Sequence, residues 1–269
     1  MASKKEIKKI LVSLKKKEFK KKIILIFFII IFLLFFYRSN IFNIDVLFTG
    51  IPAFLTITGE MFPPDFSNIS DWINPSIDSV SMSITATILS SIIAFPISLI
   101  ASRNINSNLF SYTFIRFFLS FFRSVPEIIL GLIIVISVGF GILSGTLAIT
   151  IHSVGMLGKF FSESIERSNN DITEIITSTG ATKMYIIFYG IIPQVTQEFI
   201  DLMMYRWEYN FRQSTILGIV GAGGIGFELL SSIRLMQYQE VSAILIIVIS
   251  LVTFIDFLSS RIRSYFREH

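Results

Sequence analysis

The sequence has no cysteine, only two histidines and no phosphate-binding loop, and each shortage excludes a class of function. Without cysteine there is no disulfide, thiolate metal site or thiol nucleophile. His152 and His269 alone do not supply a histidine-based metal centre, so no metal site is predicted. The motif G-x-x-x-x-G-K-[ST] is absent, and no nucleophile–base pair or paired catalytic carboxylates stand out. The chain is therefore not predicted to be an enzyme.

Charge is scarce as well, and the hydrophobic residues that take its place occur in long runs. Charged residues make up 16% of the chain, against about a quarter in soluble domains, while 52% are hydrophobic and 28 are phenylalanine. The mean hydropathy is +0.70. A single soluble core does not need apolar runs longer than a strand or a core helix. The composition predicts an all-α, polytopic membrane protein.

Six apolar stretches are predicted to cross the membrane. They are residues 23–37, 79–101, 128–140 (the apolar part of a segment that begins at 110), 146–161, 185–217 and 241–258. Residues 1–22 form a basic tail, 38–78 a loop rich in acids and turn residues, 79–258 the core, and 259–269 a second basic tail. A signal peptide is the alternative for the N-terminus, but no small-residue cleavage site follows the apolar run. His152, inside the fourth span, is predicted to make a hydrogen-bonded contact between helices.

The basic residues predict the orientation of these spans. Ten lysines precede residue 23, and the last nine residues contain three arginines. Because cytoplasmic loops are rich in Lys and Arg, both termini are predicted to be cytoplasmic, which agrees with an even number of spans. The 38–78 loop is then external. The predicted location is the cell membrane, with the lipid bilayer as a partner for the lysine tail and no nucleic-acid partner.

A glycine-rich segment imitates a dinucleotide-binding fingerprint. Gly221, Gly223 and Gly226 have the spacing G-x-G-x-x-G, Gly224 lies among them, and Glu240 follows at about the distance of the ribose-binding acid. Such a fold needs a strand and most of a domain downstream, but only 43 residues follow Gly226, and their apolar run, residues 241–258, is too long for a strand. The glycines instead predict a turn or re-entrant segment packed closely against neighbouring helices.

The polar stretch before the fifth span, residues 171–182, has the pattern of a short amphipathic helix. Asp171 is the predicted N-cap, Glu174 would complete a capping box, and Gly180 would end the turn. Apolar side chains recur through it at helical spacing, at Ile172, Ile175 and Ile176. Exposed apolar residues at this spacing indicate either docking into a partner's groove or adsorption at the lipid interface.

The same stretch resembles the E-A-A-x-x-x-G-(x)n-P signature of ABC importer permeases. Glu174 is followed by Gly180 six residues later and by Pro193 thirteen beyond that. Ile175 and Ile176 replace the two alanines of the signature. Gly190 stands at the later position where the signature usually has an isoleucine. The resemblance implies a coupling helix that docks on a separate ATPase. The residues it assigns to coupling are Glu174, Ile175, Ile176, Gly180, Ala181 and Pro193.

Several longer stretches are similar to one branch, the phosphonate ABC transporter permeases, among them "RSVPEIILGL" (123–132) and "YRWEYNFRQSTILGIVGAGGIGFEL" (205–229). The resemblance implies a six-span type I importer permease of MetI-like architecture that acts as a homodimer. It also implies two P-loop ATPase subunits that use ATP and Mg, an external solute-binding protein, and no cofactor in this chain. The substrate would be a phosphonate or a phosphite-like oxyanion. Importers of methionine or phosphate remain alternatives; a stand-alone secondary transporter is less favoured, because no internal repeat is visible.

The predicted fifth span carries four charges, at Asp201, Arg206, Glu208 and Arg212. Each charge facing lipid at mid-span costs about 2.5–3.5 kcal/mol, so these side chains must face protein, water or one another. Glu208 and Arg212 are i,i+4 neighbours: either they pair with each other, or both belong to the substrate pathway. Arg206 has Asn210 at i+4 and no acid, so the two are predicted to offer donors to a phosphoryl oxyanion in the substrate pathway.

Two further sets of charges lie near the predicted inner ends of spans. Arg123 is either an interfacial anchor or a gate in the pathway, with Glu127 as its i,i+4 partner. Asp256 is predicted to pair with Arg261 or Arg263.

Overall fold

The computed structural model describes residues 4–39 and 43–268, and every regular element in that part of the chain is helical. The α-helices are α1 (Lys4–Arg38), α2 (Ile44–Glu60), α3 (Ile69–Ile100), α4 (Leu109–Ser124), α5 (Glu127–Val138), α6 (Ile142–Glu166), α7 (Asn170–Ser178), α8 (Lys183–Tyr185), α9 (Ile192–Leu217), α10 (Ile225–Arg234) and α11 (Tyr238–Glu268). π-Helical turns at Ile186–Ile191 and Gly218–Ala222 extend α9 at its two ends. The all-α prediction is confirmed.

The chain divides into two compact units, residues 1–59 and 60–269. The first unit contains α1, in which the lysine-bearing segment and the first predicted span are one helix, and nearly all of α2. The segment 38–78, predicted as a loop, instead contains α2 and the first ten residues of α3. The reason is visible in the composition of α2, whose acids Asp45 and Glu60 lie only at its ends around an apolar run.

The candidate membrane spans agree in large part with the six that were predicted. Helices α3 and α11 are long and apolar enough to cross a bilayer unbroken, and they contain predicted spans 79–101 and 241–258. The predicted span 128–140 falls in a bent pair of helices, α4 and α5. The predicted span 185–217 falls in a second bent pair, in which α10 follows the continuous helical segment 183–222, here called the rod. The remaining spans, 23–37 and 146–161, lie in α1 and α6, which length and apolarity alone do not single out.

Helix α6 lies at the centre of the second unit and packs closely against its neighbours through small residues. Besides Trp72 and Met82, the buried residues of α3 all have small side chains: Ser79, Ser83, Ala86, Thr87, Ser90, Ser91, Ala94 and Ser98. Where α4 crosses α6, a Cβ atom on Gly155 would lie 2.9 Å from the backbone nitrogen of Arg123. Small residues let membrane helices approach closely enough for dispersion contacts to hold them together.

Larger side chains fill the layers between these contacts. Phe161 of α6 stacks on Phe199 of α9, with ring centroids 4.1 Å apart. Trp207 and Phe211 join α9 to Ile255 of α11. These clusters fix the position of α9, which carries four of the charged side chains discussed below.

A sharp elbow separates α4 from α5, so the segment that begins at residue 110 is two helices and not one. Their axes are bent by 87°. Pro126 lacks a backbone donor and disfavours helical geometry in the residue before it, and Val125 is accordingly extended, with φ −78° and ψ 122°. Helix α4 therefore ends at Ser124, and Glu127 begins α5.

The glycine-rich segment bends the chain at the end of the helical rod formed by residues 183–222. Gly221, Gly223 and Gly224 have φ values of 102°, 78° and 71°, a region that favours glycine. A Cβ on Gly226 would overlap the carbonyl oxygen of Thr215. The flanking residues are helical, so the dinucleotide-binding alternative is excluded, and α10 leaves the turn at 57° to the rod.

Candidate functional site

The short polar helix α7 starts slightly earlier than predicted. Its N-cap is Asn169, whose side-chain oxygen accepts a hydrogen bond from the backbone nitrogen of Asp171 at 2.8 Å. The predicted cap at Asp171 is therefore wrong by two residues, because the extended Asn169 reaches the free amides first. The helix ends at Ser178, and Gly180 follows with a φ of 80°. Ala181 lies in the turn that leads to α8.

The isoleucines of α7 divide between two directions. Ile175 is 66% exposed and Ile172 is 41% exposed. Ile176 is half-buried and packs toward the π-helical turn, where a Cβ on Gly190 would lie 3.1 Å from its Cδ1 atom. The absence of a side chain at Gly190 thus provides the space that Ile176 occupies. One isoleucine anchors α7, and the other two are available to a partner.

A groove of about 240 Å³ runs beside α7. The connector between α3 and α4 supplies Asn104 and Ile105, α7 supplies Glu174, and the start of the rod supplies Lys183. Pro193 is exposed in the first turn of α9. The residues assigned to coupling therefore surround one end of the rod.

Three ionisable side chains meet in the interior of the second unit, and we call them the buried triad: Glu127, His152 and Arg206. Arg206 is 2% exposed, and its Nη2 atom lies 2.6 Å from Glu127 Oε1 and 2.7 Å from His152 Nδ1. His152 Nδ1 also contacts the same Glu127 oxygen. Glu127 lies on α5, His152 on α6 and Arg206 on α9. Removing one partner from such a group leaves a buried charge uncompensated, which destabilises the fold by about 3–5 kcal/mol.

A chain of side-chain hydrogen bonds extends the buried triad to α3. Arg206 Nε donates to Ser153 Oγ at 2.9 Å, and this hydroxyl donates to Asn210 Oδ1 at 3.0 Å. Asn210 Nδ2 in turn donates to Thr87 Oγ1 at 2.9 Å. All of these side chains are buried. Four helices are therefore linked by one polar network.

The network corrects two predictions about charges. Arg206 was predicted to lack an acidic partner, but it has Glu127 across the helix interface. Glu127 in turn pairs with Arg206 and His152 instead of with Arg123. Sequence reasoning tests only neighbours at i,i+3 and i,i+4, whereas Glu127 and Arg206 are 79 residues apart. The predicted hydrogen-bonded helix contact of His152 agrees with its position.

Three ion pairs join α9 to α11, and we call this line of contacts the α9–α11 seam. Its pairs are Asp201–Arg267 at 2.8 Å, Glu208–Arg263 at 2.8 Å and Arg212–Asp256 at 3.1 Å. The predicted pairs Glu208–Arg212 and Asp256 with Arg261 or Arg263 are therefore wrong, because α11 presents its own charges to α9. Arg212 and Asp256 are about half-exposed, so this end of the seam is accessible in the single chain.

Comparison with known proteins identifies relatives of this arrangement. A family model described as the binding-protein-dependent transport system inner membrane component matches residues 94–268. A phosphite transport system permease protein of Stutzerimonas stutzeri is 44% identical over 221 residues, which cover 82% of this chain and 80% of that protein. A putative cryptic phosphonate transport system permease protein of Escherichia coli (strain K12) is 43% identical over 120 residues, covering 45% of this chain and 98% of that one.

The fold also occurs in a solved transporter. An inward-facing structure of the MetNI methionine ABC transporter aligns with a TM-score of 0.63 at 20% sequence identity. The alignment covers 70% of this chain and 93% of that chain. At this identity the similarity establishes the architecture and not the substrate.

Proposed function

Because this chain belongs to the family of binding-protein-dependent transport-system inner-membrane components, with the predicted MetI-like fold, we propose that it carries phosphite or a related phosphonate across the cell membrane. The family makes it a multi-pass membrane subunit of an ABC importer that works with a separate ATPase and a solute-binding protein. The observation that supports the substrate is the 44% identity to a phosphite permease over 82% of the chain. The methionine transporter shares only the fold and supports no substrate.

Coupling to the ATPase is proposed to occur through α7. Its exposed face carries Ile175 and Ile172, while Ile176 attaches the helix to the rod at Gly190. A rigidly attached helix with apolar side chains directed outward can transmit a push from a partner subunit. ATP and Mg would bind to the ATPase, and this chain would hold no cofactor. Both termini are proposed to be cytoplasmic, on the side of the lysine-bearing segment.

The substrate pathway is proposed to follow the α9–α11 seam in a homodimer. Charged side chains exposed within a membrane span do not face lipid, because each would cost about 2.5–3.5 kcal/mol there. A second copy and an aqueous path between the copies provide a suitable environment. Arg212, paired only with the half-exposed Asp256, offers guanidinium donors to a phosphorus oxyanion. We propose no substrate contact for Arg206, since it is buried.

The direct test is uptake by the purified complex. The chain would be tagged, purified with its ATPase, and reconstituted in proteoliposomes with the binding protein. We expect ATP-dependent, binding-protein-dependent uptake of radiolabelled phosphite or methylphosphonate, and none when ADP replaces ATP. Selective uptake of methionine or of phosphate would refute the substrate assignment. Uptake without ATP would refute the importer mechanism.

A further inference from the structure

The buried triad lies where the least regular part of the second unit meets its centre. Glu127 is the first residue of α5, directly after the 87° elbow at Pro126. His152 lies ten residues into α6, about 15 Å along the axis from the turn that joins α5 and α6. That distance is about half of the hydrocarbon thickness of a bilayer. The triad therefore lies well inside the second unit, where its buried side chains are shielded from water.

The contacts within the buried triad are incomplete. Both His152 and Arg206 converge on Oε1 of Glu127, while Oε2 is buried and has no hydrogen-bond partner among residues 4–39 and 43–268. A buried carboxylate that uses one of its two oxygens is not at its most favourable arrangement. A small shift of α5 about the elbow would change which carboxylate oxygen His152 and Arg206 contact. Glu127 thus makes a strong contact through Oε1 and has a second oxygen, Oε2, to which the contact could move.

The elbow allows α5 to move in this way. Val125 and Pro126 connect α4 to α5 in an extended conformation, so the ladder of helical hydrogen bonds is interrupted between the two helices. Helix α4 packs against α6 at Gly155 by backbone contact, and α5 packs against Leu217 at Gly131. A motion of α5 relative to α4 would pivot at the elbow, and the buried triad is the charged contact that would oppose it.

We propose that Glu127, His152 and Arg206 form a latch that holds α5 against α6 and α9 in the resting transporter and rearranges in each transport cycle. These are positioning residues and not substrate ligands. The inference rests on the proposed ATPase coupling of the importer. A closed latch resists the helix movement that ATP hydrolysis drives, so the complex hydrolyses little ATP until the loaded binding protein docks.

The proposal is tested with one variant that removes both charges of the Glu127–Arg206 pair and one that removes only the carboxylate charge. The double variant Glu127→Leu/Arg206→Met replaces the ion pair with apolar side chains of similar volume, a change that buried pairs often tolerate. Glu127→Gln retains the shape and removes one charge. The matched control is Lys159→Gln, because the Lys159–Glu163 pair lies within α6 alone and braces no second helix.

The readout is ATP hydrolysis by the complete complex in nanodiscs, with and without loaded binding protein. We expect basal hydrolysis to rise at least five-fold in both latch variants, the stimulation ratio to fall toward one, and the control to match wild type. A folded latch variant with wild-type basal hydrolysis would overturn the proposal. Misfolding of both variants would assign only a structural brace and would also overturn it. If the wild-type complex shows no stimulation by the binding protein, the proposed function itself fails.

Discussion

The exposed isoleucine of α7 gives the sharpest test of coupling. In the substitution Ile175→Ser, the side chain lost is 66% exposed in the single chain, so a docked partner would bury it further. Complete burial of an isoleucine contributes about 1.5–3 kcal/mol. Two thirds of that range is about 1–2 kcal/mol, which corresponds to an affinity for the ATPase that is about 5- to 30-fold weaker.

Folding is not expected to change with this substitution. Ile and Ser have similar helix propensities, and the side chain contributes little to the packing of the single chain. A matched control is Leu235→Ser, since Leu235 is 68% exposed and follows α10 outside the coupling region. This control isolates the position of the side chain from the general effect of losing an exposed hydrophobic residue.

The assay is equilibrium binding of the copurifying ATPase subunit to the permease in nanodiscs. We expect weaker binding for the Ile175 variant and wild-type binding for the Leu235 variant, with the same melting temperature for all three proteins. Unchanged affinity for the Ile175 variant would show that α7 lies on the lipid interface or elsewhere, and would refute the coupling argument. An equal loss in both variants would refute the specific role of α7.

Three other predictions concern the glycine turn, the α9–α11 seam and the turn at Asp65. Gly226→Ala should lower the melting temperature markedly because the new methyl group overlaps a backbone carbonyl, whereas Gly50→Ala meets nothing within 4 Å and should not. Arg212→Gln should reduce phosphite uptake several-fold and change the melting temperature little, since its exposed pair with Asp256 contributes at most about 1 kcal/mol. The pKa of the Asp65 carboxyl lies below its ordinary value because it accepts a hydrogen bond from the amide two residues on. The turn is therefore stabilised by the ionised form and should loosen as pH falls below about 4, which hydrogen exchange would detect.

The fold class and the family could be predicted because their signals are local and long. Apolar runs identify spans, and the spacing from Glu174 to Pro193 identifies the importer signature without knowledge of any contact. The helix α2 was missed because acids and turn residues elsewhere in 38–78 dominated that stretch. The bend at Pro126 was missed because the apolar residues continue on both sides of it.

The partners of the charges could not be predicted, for a different physical reason. A sequence shows which residues share a helix face, so it suggests pairs such as Glu208–Arg212. The structure instead pairs Glu208 with Arg263, a residue of another helix, because packing of α9 on α11 sets the distance. The same holds for Arg206, whose acid comes from α5. Which acid meets which base depends on helix packing that no local spacing encodes.

The fit of Ile176 into the space above Gly190 has a consequence for chimaeric transporters. A coupling segment with the usual alanines, grafted from another importer, would leave that space empty and detach the helix from the rod. The reverse graft would force an isoleucine against a bulkier turn. With the proposed coupling role of α7, a chimaera that exchanges ATPase partners therefore needs residues 169–193 transferred as one segment, so that α7 and the turn at Gly190 that it packs on come from the same protein.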